Sequence, residues 1–146
     1  MLPHSVHPFR LAGLLIPAVL ACNVDSPMKF DWTEGPLADG LRLYEAGEFF
    51  TAHEAWENLW LRAPEPEKTF LQGIIQVTAA FHHWRHNNRL GTVLLLRAAL
   101  RRLEGYPPGF GGIAVGLLCD DVRECLGRLE ADEKECQLVT PRIQTE

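Results

Sequence analysis

Phe49-Phe50-Thr51-Ala52-His53-Glu54-Ala55-Trp56-Glu57-Asn58-Leu59-Trp60 is the stretch whose reading decides the fold. Phe49, His53, Trp56 and Trp60 recur at spacings of three and four, so a helix turning about 100° per residue gathers them on one stripe. His53 therefore stands where a core side chain is expected. Glu57, one turn beyond it, is placed to accept a hydrogen bond from its ring and to fix a tautomer or hold a charge. Glu54 lies about 100° away. A second polar set follows in Gln72, Gln76 and His83, separated by one turn and then two, within about 40° on a further helix. If the two helices pack antiparallel, the two sets meet.

Working outward from this stretch, five segments carry a helical period and none shows sustained strand alternation, which predicts an all-α fold. The first helix runs from Pro36, suited to a first turn, to Ala46, and Gly47 supplies a left-handed stop. The second takes Glu48 to Arg62 and is closed by Pro64 and Pro66. The third starts among Glu65, Glu67 and Lys68, acids that suit the helix dipole, and continues to His86, with Asn87-Asn88 as its C-terminal turn. A fourth spans Leu90 to Glu104, and a fifth Ile113 to Leu129. Between these two, Gly105 to Gly112 reads as a loop that neither helix nor strand enters.

Expected core faces are Val93, Leu96, Leu100 and Leu103 on the fourth helix, and Val115, Leu118, Val122, Cys125 and Leu129 on the fifth. The third is apolar almost all round (Phe70, Leu71, Ile74, Ile75, Val77, Thr78, Phe81), the mark of a central helix, and its Gly73 lets a neighbour approach closely. The junctions Tyr44 to Phe49 and His86 to Gly91 repeat each other as short helical hairpins similar to tetratricopeptide units, but two units fall short of a solenoid. The pattern predicts a compact bundle of about five helices over residues 28–130 and a polar tail, 131–146, without a periodic core signal.

With 146 residues, 47% hydrophobic and 23% charged, the chain has material for one folded domain. Its 14 Lys plus Arg against 19 Asp plus Glu give a net charge of -5, which disfavours nucleic acid or anionic membrane as a bulk partner. The charge is unevenly spread: acids crowd Glu34 to Glu67, whereas Arg85, Arg89, Arg97, Arg101 and Arg102 follow without an acid between them. Internal or intersubunit complementarity is the preferred explanation, ahead of a phosphate-binding patch. Cys22, Cys119, Cys125 and Cys136 form no Cys-x-x-Cys pair and read as reduced thiols. Cys119 and Cys125 sit about 240° apart on a helix and do not bridge.

Leu11 to Cys22 is an apolar run of signal-core length behind Arg10, too short to span a bilayer as a helix. It ends Val19-Leu20-Ala21-Cys22, similar to a lipoprotein cleavage site, which would mean export or a lipid anchor at Cys22. The preferred alternative starts the protein at Met28, with residues 1–27 an extension and a cytoplasmic location, because the domain pattern begins there and cysteine usage looks cytosolic.

Three readings compete for His53, Glu54, Glu57, Gln72, Gln76 and His83. They form a satisfied buried network that fixes helix register, a polar site for a small polar ligand or partner protein, or a hydrolase-like centre with a glutamate base and a histidine acid. A zinc site of His53, Glu57 and His83 is disfavoured, since His-Glu-x-x-Glu lacks the second histidine of His-Glu-x-x-His. His82 and His86, four apart, form a further metal-compatible pair whose bland reading is a solvated helix end. Trp56 and Trp60 read as core anchors. No phosphate loop, Gly-x-Ser-x-Gly elbow or nucleophilic cysteine context occurs. No cofactor or metal is expected.

Leu43-Tyr44 through Gly47, Phe50, Ala52-His53-Glu54, Trp56-Glu57 and Trp60, then Leu71-Gln72-Gly73-Ile74-Ile75-Gln76, His83, Asn88 and Gly91, together resemble the domain-of-unknown-function 309 family over about residues 37–104. The resemblance implies a small, all-helical, largely prokaryotic protein without an assigned activity. The chain departs from it at Asn87, where glycine is usual, and in its apolar N-terminal segment. The expected protein is thus a helical binding or interaction module, self-associating, with an unassigned hydrolase-like enzyme as the alternative.

Overall fold

In the computed structural model of the protein the described residues are 27–131 and 135–146; the apolar run Leu11 to Cys22 lies outside them. Among the described residues five helices follow one another: α1 (Pro36–Glu45), α2 (Phe49–Arg62), α3 (Glu67–Arg85), α4 (Arg89–Leu103) and α5 (Val115–Glu130). The fold is all-α, and none of these helices is long and apolar enough to cross a membrane.

The two hairpin junctions are the same device built from different residues. After α1, Gly47 at φ 81° lets its own N–H reach the Tyr44 carbonyl (3.0 Å) while the Glu48 N–H reaches that of Leu43 (2.8 Å). After α3, Asn87 at φ 59° does likewise, with Asn87 N–H on Trp84 (3.1 Å) and Asn88 N–H on His83 (2.9 Å). Both close the last carbonyls of a helix through one left-handed residue, a conformation that asparagine tolerates better than most residues with a Cβ. The departure at Asn87 therefore preserves the turn. Asn88 then caps α4, its Oδ1 accepting from Gly91 N–H at 2.9 Å.

α3 is the hub, packed between α2 and α4, with Phe70, Leu71, Ile74, Ile75, Val77 and Ala80 fully enclosed. Gly73 admits α4: a Cβ there would stand 2.7 Å from Leu103 Cγ. On α4 the buried row is Thr92, Leu96, Ala99 and Leu103, so Val93 and Leu100 flank the seam and do not centre it. Thr92 belongs there because its hydroxyl donates to the carbonyls of Asn88 (2.8 Å) and Ala80 (3.3 Å). On α5 the expected face is buried, and Cys119, Cys125 and Cys136 are free. Burial and nearby acids push the Cys125 thiol up to about 11, which makes it a poor nucleophile.

Two segments without a helical period still join the core. The loop after α4 contains a 3₁₀ turn, Phe110–Gly112, which the glycine-rich reading excluded. Aromatic rings hold it: Phe70 lies 4.9 Å from Phe110 and 5.1 Å from Tyr106, and Trp32 Nε1 donates to the Gly111 carbonyl at 2.7 Å. The polar tail is a strap. Ile113 and Thr145 form an antiparallel bridge, Ile143 is buried, and Tyr44 Oη donates to the Pro141 carbonyl at 2.6 Å. Arg142 clasps both oxygens of Asp121 at 2.9 and 3.0 Å. An extended strap needs only one or two apolar side chains, so it left no periodic signal.

Candidate functional site

α2 carries His53 inward because it shares the stripe of Phe49, Trp56 and Trp60, all buried. Both ring nitrogens are closed off from solvent, yet among the described residues neither Nδ1 nor Nε2 has a hydrogen-bond partner. Glu57 is one turn on, and its Oε2, also buried and unpartnered, stands 4.0 Å from His53 Nε2. That separation is too long for a hydrogen bond.

Burial, and secondarily the neighbouring His82, holds the His53 pKa below its ordinary value. Burial, and secondarily Glu54, raises that of Glu57. Desolvation thus outweighs the attraction between the two groups, and the imidazole is neutral near pH 7. Glu54 itself is exposed and reaches the pair only through its charge.

The other residues of the polar constellation are shared out differently from the sequence expectation. Gln76 is buried, and Arg102 Nη1 on α4 donates to its Oε1 at 3.5 Å. Gln72, one turn earlier on the same row of α3, is half-buried. His83 turns to the α3–α4 junction, where Asn88 Nδ2 lies 3.1 Å from its Nδ1. Since Asn88 Oδ1 is already engaged by Gly91, its amide group must donate, and His83 Nδ1 is the acceptor. Among the described residues no three His, Cys, Asp or Glu side chains converge as a metal site requires, which removes the geometry behind a His53, Glu57 and His83 zinc centre.

The histidine that does adjoin His53 is His82. Phe50 bridges them, its ring 6.5 Å from His53 at an interplanar angle of 12° and 5.5 Å from His82. Phe50 is 56% exposed and forms a rim over His53. The pairing follows from a contact that spacing alone does not give: Phe49 packs on Phe81 at 5.8 Å, and the next residue on each helix turns about 100° toward that rim. Two further buried polar residues escaped notice. Lys68 donates to the carbonyls of Trp60 (2.8 Å) and Leu61 (3.2 Å), and Glu67 keeps an unpartnered Oε1. Both stand at the start of α3, where charged residues look solvated on sequence alone.

Of the arginines between 85 and 102, three have partners other than a carboxylate of the acidic run, although Arg85 reaches a main-chain carbonyl within it. Arg85 donates to Gly47 O (2.8 Å), Arg89 to Leu129 O (2.8 Å), and Arg97 pairs with Glu130. An open cleft of about 500 Å³ lies apart from His53, between the α1–α2 turn and the strap, lined by Tyr44, Phe49, Arg85, Pro141, Arg142 and Ile143. Its principal polar groups are already engaged on Gly47, Pro141 and Asp121. The unmatched polar atoms of His53 and Glu57 lie outside that cleft.

Over 88 residues the chain is 30% identical to an uncharacterised protein of Aquifex aeolicus (strain VF5); the match covers 60% of this chain and 26% of that protein, so the chain spans about a quarter of the relative's length. The relative's name carries no activity. All of His53, Glu54, Glu57, Gln72, Gln76 and His83 fall within residues 37–95, from the first turn of α1 into α4, and that stretch matches the family described as Domain of unknown function (DUF309).

Proposed function

We propose that the protein is a small helical binding module whose ligand is a compact polar molecule rich in N–H donors, seated over His53 and Glu57 between α2 and α3 beneath Phe50. One observation carries the reading: three buried polar atoms, both His53 ring nitrogens and Glu57 Oε2, have no hydrogen-bond partner among the described residues. Each unmatched atom costs about 1–3 kcal/mol. A purely structural core would replace them with apolar atoms, whereas a ligand that donates to Glu57 and to the imidazole lone pair satisfies two of the three, and an acceptor on the same ligand takes the ring N–H. Two acids, Glu54 and Glu57, beside a neutral histidine favour a neutral or cationic donor over an anion.

A hydrolase-like reading rests on the opposed pKa shifts, which bring a histidine and a carboxyl toward a common range as a proton-exchanging pair requires. Turnover of an activated ester or amide, lost in Glu57→Gln, distinguishes it from binding.

The test of binding is a ligand-observed NMR screen of small amides, amines and amidines against the full chain, with His53 and Glu57 resonances followed by titration. Hits that shift those two residues and lose affinity about tenfold or more in His53→Leu, the scale of one lost charged or buried hydrogen bond, are expected. Hits confined to the cleft between the α1–α2 turn and the strap, or none at all, would overturn it.

A further inference from the structure

The last turn of α3 presents three histidines, His82, His83 and His86. His83 is occupied by Asn88, as described above. His82 and His86 are one turn apart, and their ring centroids lie 4.4 Å from each other with planes at 46°. His86 Nδ1 sits 2.8 Å from the main-chain carbonyl of His82. A carbonyl only accepts, so Nδ1 carries the hydrogen and the lone pair of the neutral ring is on Nε2. An imidazole whose remote N–H is held by a carbonyl is the arrangement that orients histidine toward a metal.

His82 is half-buried against Phe50, and among the described residues no hydrogen bond engages its ring nitrogens. The nearest cation on the same turn, Arg85, is directed away, donating to Gly47 O and lying over the Phe49 ring at 4.9 Å. The carbonyl end of a helix also favours positive charge.

We propose that His82 and His86 form a two-histidine chelate for a divalent transition ion such as Zn²⁺ or Cu²⁺, with water in the remaining positions. Imidazole nitrogen selects these ions over Mg²⁺ and Ca²⁺, which prefer oxygen ligands. The Phe50 ring, 5.5 Å from that of His82, borders the pair on the α2 side. A mere stack of two exposed rings at a helix end would bind no ion stoichiometrically.

Calorimetric titration of the full chain with ZnCl₂ tests this, alongside His86→Ala, His82→Ala and a His4→Ala/His7→Ala control that removes the other histidine pair of the sequence. His86 is exposed, so its replacement leaves the fold intact, which circular dichroism checks. One Zn²⁺ per chain is expected, with affinity falling at least about tenfold in either α3 variant, because one arm of a chelate is lost, and unchanged in the control. Absence of binding by the parent, parental affinity in His86→Ala, or loss only in the control would overturn the proposal.

Discussion

Trp56→Ala is expected to destabilise the protein by about 3–5 kcal/mol, the scale of removing a fully buried aromatic residue. Trp56 has no exposed surface and joins three segments. Its ring meets Trp32 edge-on at 6.3 Å and Tyr44 at 6.0 Å, and its Nε1 donates to the Leu37 carbonyl at 3.1 Å. Truncation leaves a cavity between α1 and α2 that rigid helices refill only partly. Chemical denaturation with a constant m-value measures the loss; a change below about 1 kcal/mol would mean that the helices close over the gap and that Trp56 is no anchor.

Gly40→Ala is expected to cost about 1–3 kcal/mol, although alanine is the better helix former by about 1 kcal/mol. A Cβ at position 40 would stand 2.1 Å from Trp56 Nε1 and 2.4 Å from its Cε2, and an indole walled in by core neighbours has no free end to yield. The thermodynamic cycle with Trp56→Ala checks the cause. In that background the methyl group enters vacated space, and the penalty should shrink or reverse sign. Equal penalties in both backgrounds would trace the cost to something other than the indole.

These two residues also show what the sequence disclosed and what it hid. Trp56 was legible because it recurs with Phe49, His53 and Trp60 at helical spacing. Gly40 was not, since a glycine inside a helix shows its use only when its neighbour across the interface is known. The five helices were readable from Pro36, Gly47, Asn88 and the glycine-rich loop, residues whose backbone preferences act locally. The strap was unreadable because Tyr44 to Pro141 is a contact 97 residues apart that depends on a backbone carbonyl, a group every residue has.

For the site, His53 and Glu57 fall on one side of α2 by spacing alone. Gln76 and His83 share a row on α3, but α4 also borders that row, and Arg102 and Asn88 take them up. Periodicity fixes which residues share a face and leaves open which neighbour meets it.

The central claim is that His53 is retained at the expense of stability. Burial lowers the pKa values of His53, His82 and His83, so between those values and the ordinary one near 6.5 the unfolded chain binds more protons than the folded one. Their contribution therefore weakens stability as pH falls from about 7 through that window. Glu57 has the opposite sign: its raised pKa favours the folded state at low pH, and that contribution is lost as pH rises through the folded-state value.

The decisive measurement is the unfolding free energy of the parent and of His53→Leu, a swap of comparable volume, at about pH 7.5 and about pH 5.5, on either side of the ordinary histidine value. The variant should match or exceed the parent at the higher pH and gain relative to it at the lower, where its shallower pH slope shows that a neutral, unpartnered imidazole has been removed. A loss above about 2 kcal/mol at both pH values, with an unaltered slope, would contradict the account and make His53 a structural member of the core.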